Sequence, residues 1–265
     1  MVHNLSISED PMKTPSLSSN LSKRRLRAAF TLTETVIAIG VLAVILTGFI
    51  AVFTPAAQGI RRSISSEQAD RLTTTLENEL ATLRESQKAT LLPTGTTGFD
   101  KSFGWIRSGN VAANAIFVYQ YRGNPAMIRS DGTPEPMVEI TGEPGKSYIV
   151  QSMARRVGEK EGGKDLLEED LKALEGSVFY VKPTQLIFVG GELKSGTAGK
   201  IMNADTPATE AANATAYKEA VIAFTAEFHN VPTKSIAYLK STTFTTRFNS
   251  TTNKPIFTRN LAVRR

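Results

Sequence analysis

Glu34 stands four residues after Phe30, at the entrance to an apolar run that reaches Phe53. A carboxylate in hydrocarbon costs at least about 2–3 kcal/mol on insertion scales, and groups that bear this cost are usually paired. The apolar run contains no cation. A cut just before Phe30 would create one. The new α-amino group, with an ordinary pKa of about 7.7–8.0, would be largely cationic at neutral pH. It could pair with Glu34 of its own chain or of a neighbouring subunit. The other titratable groups offer less. The chain has no cysteine, so thiol chemistry, disulfides and Cys-based zinc sites are excluded. Its two histidines are His3, in a polar leader, and His229, which has no Asp or Ser partner at a suggestive spacing. The acidic run Glu168-Glu169-Asp170 reads as a solvated helix face, and no Asp-x-Asp-x-Asp calcium pattern occurs. Gly190-Gly191-Glu192 lacks the lysine of a phosphate loop. No catalytic residue, metal ligand or cofactor is therefore expected, and the chain reads as a non-enzyme.

The element that must position Glu34 is a helix. Residues 36–53 are uncharged, and Thr47 is their one polar side chain. Counted from Phe30, the segment is about 36 Å long as a helix, against about 30 Å of hydrocarbon, so a single tilted span fits. The basic residues Lys23, Arg24, Arg25 and Arg27 precede it and favour a cytoplasmic N-terminus. The following domain then lies outside the inner membrane. The apolar run is longer than that of a cleaved secretory signal, and Pro55-Ala56-Ala57 puts a proline where cleavage wants a small residue.

A basic leader, a small residue, Phe-Thr-Leu-x-Glu and a long apolar helix together resemble the N-terminal region of type IV pilins and of type II secretion pseudopilins. The resemblance implies cleavage by a prepilin peptidase between Ala29 and Phe30 and methylation of the Phe30 amine. It implies that Glu34 neutralises the N-terminus of an adjacent subunit during assembly. Methylation keeps the amine basic, so the charge pairing survives it. Ala29 stands where the family has Gly, and Thr33 where an aliphatic residue is usual. The partners implied are the prepilin peptidase/methyltransferase, other pilin or pseudopilin subunits, an inner-membrane assembly platform with its ATPase, and the lipid bilayer. The absence of cysteine removes the C-terminal disulfide of several major pilins, so a pseudopilin or minor pilin is the nearer resemblance.

Beyond the apolar run, Pro55, with Gly40, Gly48 and Gly59, predicts a bent or locally melted stretch. Ile60, Ile64, Leu72, Leu76, Leu80 and Leu83 then form one apolar stripe among charges, so an amphipathic helix is expected over 55–90, packed on a sheet. Alternating runs at 115–122, 147–154, 177–189, 220–228 and 236–248 read as strands, with Pro183 marking an edge or a break. Residues 165–174 read as a short helix, and 192–216, poor in large apolar residues, as a long surface loop. Trp105 reads as core.

The expected fold is α+β: a long N-terminal helix, half membrane and half amphipathic, packed on an antiparallel, pilin-like β-sheet head. The domains are a basic leader (1–29), a transmembrane and assembly helix (30–54), its amphipathic continuation (55–90) and a β-rich head (91–265). Of the net charge of +6, the leader carries +3. The remaining +3 is spread too thinly for a nucleic-acid interface. The expected location is the inner membrane, single-pass, with a cytoplasmic N-terminus and a periplasmic head that is extracellular in an assembled filament. The competing reading is a membrane-anchored periplasmic binding or scaffold protein that keeps its leader and does not polymerise.

Overall fold

The computed structural model describes residues 31–84, 87, 97–139, 142–205, 208–250 and 252–265. The chain divides into two units, Met1–Thr54 and Pro55–Arg265.

Helix α1 (Leu32–Ala81) is assigned without a break at Pro55, Gly40, Gly48 or Gly59, so the expected melted stretch is absent. Thr47 and Thr54 return their hydroxyls to the carbonyls of Ala43 and Ile50, at 2.8 and 3.0 Å. Each hydroxyl is thereby satisfied within the helix.

In the second unit the apolar stripe becomes buried only at Ala69, Leu72, Leu76 and Leu80. Ile60 and Ile64, expected on the same face, are exposed. The helix ends at Ala81, and residues 82–84 leave it, earlier than the stripe alone indicates. The reason lies in α2 (Gly98–Ser108), a helix that the strand-like reading of the head missed. Lys101 Nζ donates to the carbonyls of Glu79 and Thr82, and Ser102 Oγ to that of Leu80. These are carbonyls that a helix end leaves without intrahelical partners. A Cβ at Gly98 would sit 2.7 Å from the Ala81 carbonyl oxygen, so only glycine allows this approach. Thr97 and Asp100 form a capping box at the start of α2.

The sheet is antiparallel throughout. Its strands are β1 (Ile116–Ile128), β2 (Pro134–Pro136), β3 (Ile149–Arg156), β6 (Leu174–Val189), β7 (Glu192–Ser195), β8 (Val221–Val231) and β9 (Phe257–Arg264). The order along its main path is β2-β1-β6-β8-β9, with β3 beside β1 and β7 beside β6. A small hairpin, β4 (Lys160–Glu161) and β5 (Lys164–Asp165), leads into α3 (Leu166–Lys172). Strand β9 has no counterpart in the sequence reading. Pro183 sits inside a central strand, opposite Ala226, rather than at an edge. Strand β1 begins at the Ile116–Val181 pair and β7 pairs from Leu186 onward, so the flank on which proline lacks an N–H faces neither.

Both faces of the sheet are buried. On one, α1 and α2 cover Ile116, Val118, Phe179, Val181, Phe224 and Phe228. On the other, Phe117, Tyr119, Tyr121 and Tyr180 meet Leu167 and Leu171 of α3. That second layer is completed by α4 (Ile236–Leu239) and α5 (Thr242–Asn249), which correct the strand expected at 236–248. Phe244 and Phe248 are four residues apart, a spacing that a helix also places on one face. Ser241 decides the matter by accepting the N–H of Phe244 as N-cap.

Residues 192–216 are likewise not a plain surface loop. They supply β7 and bury Ile201, Ala211 and Ala214. The Gln185 side chain pairs with both main-chain groups of Met202, at 2.6 and 2.9 Å. Asn203 bonds the carbonyl of Ala216 and the N–H of Lys218. Two buried amides thus supply the main-chain bonds that a ladder would otherwise provide.

Candidate functional site

The first turn of α1 holds the residue that the sequence singles out. The Thr31 main-chain N–H and hydroxyl both donate to Glu34 Oε2 at 2.9 Å, and the Thr31 oxygen accepts the Glu34 N–H at 3.2 Å. This is a reciprocal capping box, with Thr31 as N-cap and Glu34 at the third helical position. The carboxylate also lies at the positive end of the helix dipole. The sequence reading found no local partner for Glu34. The structure supplies Thr31, and the signal was the Thr-x-x-Glu spacing. The predicted cut residues, Ala29 and Phe30, lie outside the described residues. A cut between them would leave both partners of the box on the mature chain.

From Leu32 to Ala56 every residue of α1 is exposed, including Val36, Ile37, Val44, Ile45, Phe49 and Phe53. Soluble monomers do not carry an apolar surface of this extent. The helix is long and apolar enough to cross a membrane.

The second concentration of charge is buried in the head. Arg155 on β3 is fully enclosed, with Nε 2.7 Å from Asp170 Oδ2 and Nη2 3.0 Å from Asp131 Oδ2. Asp170 also accepts from the Tyr119 hydroxyl at 2.7 Å and from Arg129 at 2.6 Å. Arg155 Nη1 lies 3.6 Å from Glu159, and Gln87 bridges Glu159 to Glu79 at 3.4 and 2.8 Å. Glu79 holds Lys101 and Arg84, each at 2.7 Å. Among the described residues, four cations (Arg84, Lys101, Arg129, Arg155) and four carboxylates (Glu79, Asp131, Glu159, Asp170) thus form one network. It links α1, α2, the turn before β2, β3 and α3.

The network corrects the reading of Asp170 as part of a solvated acidic face. Asp170 is 0% exposed and follows the inward positions of Leu166 and Leu167 on α3. Nothing local in the sequence separates it from Glu169. Burial disfavours the charge on Arg155, but Asp170, Glu159 and Asp131 outweigh it and hold its pKa above the usual value. Burial raises Glu159, despite Arg155. Burial also lowers Lys101, despite Glu79.

The phenols beneath this network are held neutral. Burial, reinforced by Asp170, raises Tyr121 to about 12 and Tyr119 well above its ordinary value. A phenol raised in the fold contributes stability that is complete below its unfolded pKa of about 10 and is lost as pH rises through the folded value. The head is expected to lose about 3 kcal/mol between pH 10 and 12 from Tyr121 alone. Denaturant titrations across that window, with tyrosine ionisation followed near 295 nm, check this. Phenols ionising near pH 10 in the folded protein would contradict it.

His229 is buried. It packs between Tyr180 and Phe248, with ring centroids at 6.0 and 5.5 Å, and its Nε2 is 3.7 Å from Glu227, beyond hydrogen-bonding range. Trp105 is buried, with Lys101 Nζ 4.7 Å above its ring. Gly190 and Gly191, both at positive φ, make the two-residue turn between β6 and β7. Among the described residues, no group of three or more His, Asp or Glu side chains is placed to hold a metal ion.

No family model, no curated protein and no solved structure matches the chain.

Proposed function

We propose that this chain is a non-enzymatic, prepilin-like structural subunit. In this reading it is cut between Ala29 and Phe30, methylated at Phe30, and assembled through α1 into a type IV pilus or a type II secretion pseudopilus as a minor subunit. Its head is periplasmic before assembly and extracellular in a filament that leaves the cell. The observation that carries the reading is Glu34, a carboxylate in the first turn of a helix whose apolar run is exposed along its whole length. A bundle of such helices covers their apolar surfaces when the subunit leaves the bilayer. A methylated amine from a neighbouring subunit then supplies the counter-charge that the apolar run lacks. The ATPase of the inner-membrane platform supplies the work.

Intact-mass and N-terminal peptide spectrometry of the protein from its native membrane tests the processing step. The expected mature chain begins at Phe30 and carries one extra methyl group there. A chain that retains Met1 to Ala29 rejects this reading.

One observation favours a second reading, a membrane-anchored periplasmic scaffold that does not polymerise. Thr31 already gives the Glu34 carboxylate a structural task, so a neighbour's amine is not needed to account for it.

A further inference from the structure

The ladder between β6 and β8 runs from Val178–Val231 to Gln185–Phe224 and stops there. The same register would go on to pair Leu186 with Ala223 and Phe188 with Val221. Those residues instead line a cleft of about 740 Å³. The two strands separate within one sheet, with β7 on the outer flank of β6 and β9 on the outer flank of β8.

The direction of the main-chain groups follows from bonds on those outer flanks. Ala220 and Phe228 accept from Arg265 and Ile256, so even-numbered residues of β8 face the β9 side. Odd-numbered residues, Val221 and Ala223 among them, face β6. On β6, the Gln185 carbonyl accepts from Gly196, so residue 185 faces β7. Leu186 and Phe188 therefore face β8. Two residue pairs that should exchange hydrogen bonds point at one another across the cleft. Among the described residues, one hydrogen bond reaches these groups, from the Tyr217 hydroxyl to the Val221 carbonyl at 3.0 Å. The remaining main-chain groups lie open to solvent in the cleft, where an incoming main chain can replace water as their partner.

The side chains around them are apolar. Phe188 and Leu193 are 67% and 55% exposed, beside Val189, Met202 and Val221. Glu219 and Asp205 add negative charge to the lining, with Asp205 bound by Lys218 at 2.8 Å.

We propose that this cleft binds an extended peptide segment that inserts between β6 and β8 as an additional strand, with alternating apolar side chains and basic ends. Its main chain takes up the donors and acceptors of Leu186, Phe188 and Ala223, as in strand addition at a sheet edge. Because β6 and β8 are antiparallel, the inserted strand runs parallel to one and antiparallel to the other. Its apolar side chains cover Phe188 and Leu193, and its basic ends meet Glu219 and Asp205. Binding at this cleft requires neither cleavage before Phe30 nor assembly through α1.

The test uses the full chain in lipid nanodiscs and the acetylated heptapeptide Lys-Val-Thr-Val-Thr-Val-Lys. A second peptide of the same sequence carries N-methyl groups on alternate amides. The first is expected to bind saturably and to slow hydrogen exchange at Leu186, Phe188 and Ala223. N-methylation is expected to weaken binding by at least about tenfold, because the side chains remain and main-chain donors are lost. Equal binding of both peptides would show an apolar pocket and overturn the proposal. So would absence of saturable binding up to about 1 mM, where non-specific association takes over. Amides of Leu186, Phe188 and Ala223 that are already protected in the free chain would overturn it as well. All measurements use the unsubstituted protein, so no outcome depends on a variant that folds.

Discussion

Arg155→Met is expected to destabilise the head by about 3–5 kcal/mol, the usual cost of removing one partner from a buried ionic cluster. The guanidinium touches Asp170 at 2.7 Å and Asp131 at 3.0 Å, with Glu159 at 3.6 Å. Methionine keeps much of the volume and removes the charge. Asp131 and Glu159 then remain buried with fewer cations around them, and each must take up a proton or admit water. Arg129 still reaches Asp170, so that carboxylate is less affected than Asp131. For a domain of this size the loss corresponds to a fall in Tm of about 10 °C. The loss should grow as pH rises from 4 to 7, because Arg155 favours the charged forms of Asp131 and Glu159, and without it both bind protons more readily in the fold. Thermal unfolding of both proteins at the two pH values reads this directly. A loss below about 1 kcal/mol would mean that the cluster is hydrated and carries little of the fold.

Glu34→Gln is expected to abolish assembly while the start of α1 stays folded. Glutamine at the third helical position can still accept the Thr31 N–H and hydroxyl, so the capping box survives in neutral form. What disappears is the charge that would meet a neighbour's amine. An unpaired cation in hydrocarbon costs enough to reduce incorporation by about a hundredfold or more. The substitution therefore separates the two readings of Glu34. A residue that serves only its own helix tolerates glutamine, and the chain remains in the membrane as before. A residue that neutralises an adjacent subunit does not. Glu34→Val removes cap and charge together and cannot make the distinction alone. Wild-type filament content with Glu34→Gln would end the assembly proposal.

The capping box was legible in the order Thr-Leu-Thr-Glu. The same carboxylate beside an apolar run also fits long-range pairing, and the sequence pattern is common to both. The capping box of α2 was equally legible at Thr97 and Asp100. The helix α5 was harder to read. Alternating threonine and aromatic residues fit a strand, and only Ser241 at the N-cap and the spacing of Phe244 and Phe248 argue for a helix. Strand β9 carries Leu261 and Val263 inward, with Arg259, Asn260 and Arg264 around them, too few apolar positions to stand out.

Composition and local periodicity are enough to specify the apolar helix, the position of Glu34 at its start, the α+β class and the main central strands. These depend on composition and on periods of two and 3.6 residues, which are local. Tertiary structure decided which charges are buried, where α1 ends and where β6 parts from β8. Arg155 and Asp170 are ordinary surface types in sequence, and they become a buried pair only because α3 is folded against the sheet. The end of α1 depends on Lys101 and Ser102, some twenty residues away in the chain. The cleft exists because two strands with a shared register stop pairing after Gln185 and Phe224. Each of these outcomes depends on groups brought together by folding, and no local pattern of residues encodes such a meeting.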